Sequence, residues 1–138
     1  MKMNLTDKIK QTVRNVPDFP KPGINFKDIS PIVENPQLSR EIVQEFASQL
    51  SGKGIDAIVG VESRGFIYGM PLALEMNIPF VLVRKAGKLP FDTIQYSYDL
   101  EYGSAEIEMH VDAINSGDRV LIHDDLLATG GTAIAAAE

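Results

Sequence analysis

The stretch richest in chemistry is residues 120–132, VLIHDDLLATGGT. An apolar run ends in two adjacent carboxylates, Asp124 and Asp125, and a turn of small residues follows, with hydroxyls at Thr129 and Thr132. Carboxylates at the carboxyl end of a buried strand suit the vicinal hydroxyls of a sugar or a hydrated Mg2+. Gly130 and Gly131 let the backbone approach a ligand, and a helix opening there offers N–H groups to an anion. It is not a Walker loop, because no lysine follows the glycines. A second apolar run ends at Val61 and leads through Arg64 to Gly65, again a geometry that suits an anion. Arg84, Lys85 and Lys88 gather at the end of a third. Taken singly, these segments also read as a capped strand–turn–helix and a solvated basic strand end.

The elements that must position these residues follow from periodicity. Residues 56–61 (DAIVGV), 79–83 (PFVLV) and 119–122 (RVLI) are continuously apolar, as strands covered on both faces are. Gly65–Met76 between the first two is helix-like, making a βαβ unit. Asn35 as N-cap and Pro36 open another helix, with Leu38, Ile42, Phe46 and Leu50 at four-residue spacing and Gly52 at its close. Leu5, Ile9 and Val13 mark one side of an N-terminal helix, and residues 16–23 (VPDFPKPG) read as an ordered loop or turn. In residues 105–111, Ala105, Ile107, Met109 and Val111 alternate with Glu106, Glu108 and His110, predicting a strand with one face wet or packed on a partner. The fold class is α/β: a mainly parallel sheet flanked by helices, with an antiparallel hairpin added.

Composition narrows the classes. The net charge of −6 argues against a nucleic-acid or anionic-membrane partner, and the absence of cysteine excludes disulfides and thiol catalysis. Two histidines, His110 and His123, do not make a zinc site alone. No apolar run is long enough to span a membrane, and the N-terminus lacks a signal-like apolar stretch, so a cytoplasmic protein is expected. The short helical stretch after Gly131 has no C-cap, and a crossover helix ordinarily leads to another strand. The expectation is a single domain over residues 1–138, with a further helix and strand beyond it.

Residues 120–132 resemble the phosphoribosyl pyrophosphate (PRPP) motif of type I phosphoribosyltransferases: apolar residues, an acid pair, then ATGGT. Three further segments are similar to the adenine phosphoribosyltransferase branch. Residues 17–31 (PDFPKPGINFKDISP) look like its base-covering hood, and residues 62–66 like its pyrophosphate loop. Residues 84–102, in LVRKAGKLP and YDLEYG, look like its flexible loop. The four motifs stand in order and span nearly the whole chain.

The resemblance implies purine salvage: transfer of the 5-phosphoribosyl group from PRPP to adenine, giving AMP and pyrophosphate. Catalytic roles would fall to Glu101, which meets adenine N7, to Arg64 on the pyrophosphate, and to Tyr102 beside it. Phe26 would stack on the purine, and the backbones of Asn25 and Lys27 would read its edge. Glu62, Ser63, Arg84, Lys85 and Lys88 would surround the leaving pyrophosphate, and the Glu62–Ser63 peptide would be cis, as in relatives. Asp124 and Asp125 would hold the ribose hydroxyls, and Ala128, Thr129, Gly130, Gly131 and Thr132 the 5′-phosphate. Mg2+ would arrive on PRPP without a direct protein ligand, and the chain would form a homodimer. His123 departs from the apolar residue many relatives carry before the acid pair, and reads as a core histidine or as a modulator of Asp124. The alternatives are another purine base, since the hood reads through backbone groups, and a non-catalytic PRPP or nucleotide sensor.

Overall fold

The computed structural model describes residues 2–100, 103–124 and 136–138. The chain divides into two compact units, Met1–Gln49 and Leu50–Glu138.

The first unit begins with α1 (Leu5–Thr12), capped by Asn4, whose side chain accepts the Asp7 N–H at 2.8 Å. The proline-rich segment forms the turn of a hairpin, in which β1 (Arg14–Pro17) pairs antiparallel with β2 (Asn25–Asp28). Prolines tolerated at a strand end and in the turn do not prevent a two-stranded ribbon. Within that turn Asp18 Oδ1 accepts the Gly23 N–H at 2.9 Å, and Gly23 has φ +88°, where glycine alone is unstrained. The short α2 (Ser30–Val33) opens with its Ser30 N–H donating to Asp28 Oδ1 at 2.9 Å. The longer α3 (Pro36–Leu50) starts as its sequence dictates, with the Leu38 N–H on Asn35 Oδ1 at 3.0 Å. Leu38, Ile42 and Val43 are its buried residues.

The second unit is built on a five-stranded sheet in the order β5-β6-β4-β3-β7. Its members are β3 (Ala57–Val61), β4 (Phe80–Lys85), β5 (Thr93–Leu100), β6 (Gly103–His110) and β7 (Val120–His123), with α4 (Gly65–Met76) between β3 and β4. Both neighbours of β3 run parallel to it: Val61 pairs with Val83, and Gly60 with His123. All five residues of β3 are buried, as a strand covered on both faces requires. One face gathers Ala57, Val59, Val81, Val83 and Ile107. The other receives α4, where Phe80 fills the space left by Gly60 and Gly69. A Cβ on Gly60 would lie 2.3 Å from the Phe80 ring, and one on Gly69 2.6 Å from it. Pro71 lies inside α4, and Asn77 ends the helix in the left-handed region at φ 56°.

The antiparallel addition is the β5–β6 hairpin, docked on β4 through Arg84↔Glu108 and Lys85↔Ile107. Within residues 84–102, Arg84 and Lys85 end β4, and Thr93–Leu100 is β5, one strand of the expected antiparallel hairpin. The polar face of β6 is exposed at Glu106 and covered at Glu108. Glu108 is 3% exposed, because the turn after β4 folds onto it. Asp125 and the 128–132 segment, with Glu101 and Tyr102, lie outside the described residues.

Candidate active site

Parallel strands deliver their carboxyl ends to one edge, and three such ends meet here. β3 leads into Glu62-Ser63-Arg64, β4 ends in Arg84-Lys85, and β7 leads into Asp124. Edges of this kind are where open α/β sheets place ligands. The Glu62–Ser63 peptide is cis, as the resemblance implies. Ser63 and Arg64 are exposed, and Arg64 stands at the N-cap of α4. The helix start abuts the end of β7. A Cβ on Gly65 would lie 2.8 Å from the His123 carbonyl oxygen and 3.6 Å from Asp124 Oδ1. The absent side chain therefore lets the segment bearing Arg64 lie against the one bearing Asp124. His123 itself is half-buried, beside Gly69 of α4, where a Cβ would lie 3.5 Å from its ring.

Glu62 organises the cations around it. Its Oε1 accepts the Lys85 N–H at 2.8 Å and lies 3.4 Å from Arg84 Nε, and its Oε2 pairs with Lys88 Nζ at 2.6 Å. The Glu62 N–H donates in turn to the Val83 carbonyl at 2.9 Å. Burial pushes the Glu62 carboxyl up. The bonds from Lys88 and the Lys85 N–H, with the charges of Lys88 and Arg84, outweigh that and hold it below its ordinary value of 4.5. Of the residues that sequence assigns to the pyrophosphate, the structure thus brings Glu62, Arg84, Lys85 and Lys88 together. Glu62 faces the cations, a placement that suits ordering them better than contacting an anion.

The turn that carries Lys88 has a partner that spacing alone does not reveal. Glu108 Oε1 accepts the Leu89 N–H at 2.8 Å and the Lys88 N–H at 3.1 Å, while Oε2 accepts Gln95 Nε2 at 3.1 Å. The Leu89 N–H is the strongest influence on Glu108. Together with the Gly87 and Lys88 amides and Gln95 it overcomes burial, and the carboxyl sits below 4.5. The alternation of β6 marks Glu108 as polar, and nothing in it says that a turn will cover that face.

In the first unit, Phe26 is half-buried, and its ring meets Phe19 edge-on at 5.2 Å between centroids. Asn25 and Lys27 flank it, both exposed. Lys27 Nζ donates to Asn15 Oδ1 across the hairpin, and Arg14 pairs with Asp28 at 3.3 Å. The Asp28 carboxyl is lowered chiefly by its bonds from Ser30, with Arg14 adding to them. The hood-like segment is therefore a ribbon cross-linked just past Phe26, at Lys27 and Asp28.

Residues 30–138 match the phosphoribosyl transferase domain family. The adenine phosphoribosyltransferase of Methylibium petroleiphilum is 52% identical over 127 residues, covering 92% of this chain and 65% of that protein, so the chain spans just under two thirds of it. The crystal structure of the Thermoanaerobacter pseudethanolicus adenine phosphoribosyltransferase superposes with a TM-score of 0.90 at 48% identity, over 97% of this chain and 77% of that one. The Saccharomyces cerevisiae enzyme, in complex with an iminoaltritol bisphosphate and adenine, gives 0.91 at 43%, over 96% and 78%. A shared fold at about half identity, on a sheet edge built as described, leads to one assignment. The chain belongs to the type I phosphoribosyltransferases, on the adenine phosphoribosyltransferase branch.

Proposed function

We infer that this chain transfers the 5-phosphoribosyl group of PRPP to adenine, forming AMP and releasing pyrophosphate. The observation that carries the reading is the meeting of three parallel strand ends, bearing Arg64, the Arg84–Lys85 pair and Asp124, with Lys88 folded back onto the first. The yeast relative's complex with adenine supports the choice of base.

In the reaction the bond from C1′ to the pyrophosphate oxygen breaks, a bond from adenine N9 to C1′ forms through an oxocarbenium-like ribosyl centre, and the ring proton that adenine gives up at N7 passes to Glu101. The negative charge that develops on pyrophosphate needs fixed positive groups, and Arg64, Arg84, Lys85 and Lys88 supply them. Ser63 sits with Arg64 where the same phosphates would lie. Asp124 and Asp125 hold the ribose hydroxyls, and residues 128–132 hold the 5′-phosphate. Phe26 stacks on the purine, and the Asn25 and Lys27 backbones read its edge. Glu101 meets N7, with Tyr102 beside the pyrophosphate. Mg2+ carried on PRPP would offset phosphate charge. Asp124, at the strand end where the ribose would sit, would suit the water shell of such an ion as well as the hydroxyls.

We also infer a homodimer, from the family resemblance, and a cytoplasmic setting. No helix among the described residues is long and apolar enough to cross a membrane. The test of function is chromatography of a mixture of protein, adenine, PRPP and Mg2+, with hypoxanthine and guanine in parallel. AMP from adenine, without IMP or GMP, is expected. PRPP binding without product would point instead to a sensor. Light scattering at micromolar concentration tests the dimer.

A further inference from the structure

We propose that Glu108 is a positioning residue for the pyrophosphate side of this site, acting through Lys88. The proposal rests on reading Lys88 as a pyrophosphate contact. Glu108 is the one charged side chain buried to such a degree among the described residues, at 3% exposure. A carboxylate held out of water is costly unless hydrogen bonds satisfy it, and Glu108 accepts them from the turn after β4 and from β5. A single oxygen, Oε1, takes both the Lys88 and Leu89 N–H groups, and Gln95 of β5 takes Oε2. Its own backbone is fixed too, since it pairs with Arg84 in β4 and with Gln95 in β5. One residue therefore ties the turn to the two strands beside it.

The turn needs such a tie. Gly87 takes φ +88°, and the Lys88 side chain then reaches back to Glu62 Oε2 at 2.6 Å. Lys88 is thus held at two points, its backbone by Glu108 and its ammonium by Glu62. An arriving pyrophosphate competes with Glu62 for the ammonium. It does not compete for the backbone N–H groups, so Glu108 keeps the lysine's root in place while its tip changes partners. Without Glu108 the ligand must order the turn itself, and affinity falls.

The test is calorimetric titration with pyrophosphate and Mg2+ on the wild type, Glu108→Met, Lys88→Ala and the double variant. Losing the buried acceptor is expected to weaken binding about tenfold, comparable to one charge-assisted hydrogen bond. With Lys88 already removed, the same change should cost less than about twofold, because the two act as one unit. Glu108→Gln keeps a carbonyl oxygen for the two N–H groups, so it should be only about threefold weaker than wild type. A folded Glu108→Met within twofold of wild type, or losses that multiply in full with Lys88→Ala, would overturn the proposal. Should Glu108→Met lack a cooperative melt, the Glu108→Gln and Lys88→Ala cycle decides by the same rule. AMP formation by the wild type is followed in parallel. No AMP with the coupling intact removes the transferase reading alone. AMP with multiplying losses removes the role of Glu108 alone, and no pyrophosphate binding by the wild type removes both.

Discussion

Gly65→Ala tests whether the helix start and the strand end must touch for the site to form. The added Cβ would lie 2.8 Å from the His123 carbonyl oxygen, where ordinary contact begins at 3.4 Å, so the two segments must part by about 0.6 Å. The obstacle is backbone, not a side chain that can swing away. It belongs to a strand already paired with β3 through Gly60↔His123. Overpacking of this kind costs about 1–3 kcal/mol. Alanine's better helix propensity returns up to about 1 kcal/mol. The net loss, about 1–2 kcal/mol at the middle of that range, should lower the melting temperature of the unit from residue 50 onward by about 4–16 °C. Because the displaced segments bear Arg64 and Asp124, pyrophosphate affinity should fall along with stability. Differential scanning calorimetry and a pyrophosphate titration on the same sample read both. An alanine variant that melts at or above the wild-type temperature and binds pyrophosphate equally well would refute the reasoning.

Other outcomes follow from single contacts. Asn35→Ala removes the cap of α3 and should lower urea stability by about 1 kcal/mol. Ile58→Ala, at a side chain with 0% exposure, should cost about 2–5 kcal/mol in the same assay. Phe26→Ala should raise KM for adenine about tenfold, the loss expected of one stacked base, with KM for PRPP little changed. Glu62 has its carboxyl below 4.5 in the folded chain, so the stability it contributes is complete above that value and is lost as pH falls through the folded one. Denaturant midpoints should therefore drop on acidification below about pH 4.5, and Glu62→Gln should flatten that slope.

The parts of the fold that one stretch of chain specifies were legible in sequence. The buried apolar runs became β3, β4 and β7, Gly65–Met76 became α4 to the residue, and Asn35 caps α3 as its type dictates. Contacts between distant segments were less legible. The β1–β2 ribbon is too short and too rich in proline and charge to show alternation. The burial of Glu108 depends on a turn nineteen to twenty residues earlier in the chain. The motifs named the cations of the site, while the structure added that Glu62 binds several of them at once. The fit of Phe80 into Gly60 and Gly69 likewise needs three segments brought together before it can be read.

The most direct test of the whole account compares AMP formation by the wild type and by Arg64→Ala, at saturating adenine over a range of PRPP with Mg2+. Arg64 is exposed at the start of α4, so its removal should leave the fold intact. The account predicts AMP from the wild type and a fall in kcat/KM for PRPP of about 10²–10³ in the variant, as for a lost transition-state charge contact. A folded wild type that makes no AMP, or an Arg64→Ala variant that makes it at the wild-type rate, would contradict it.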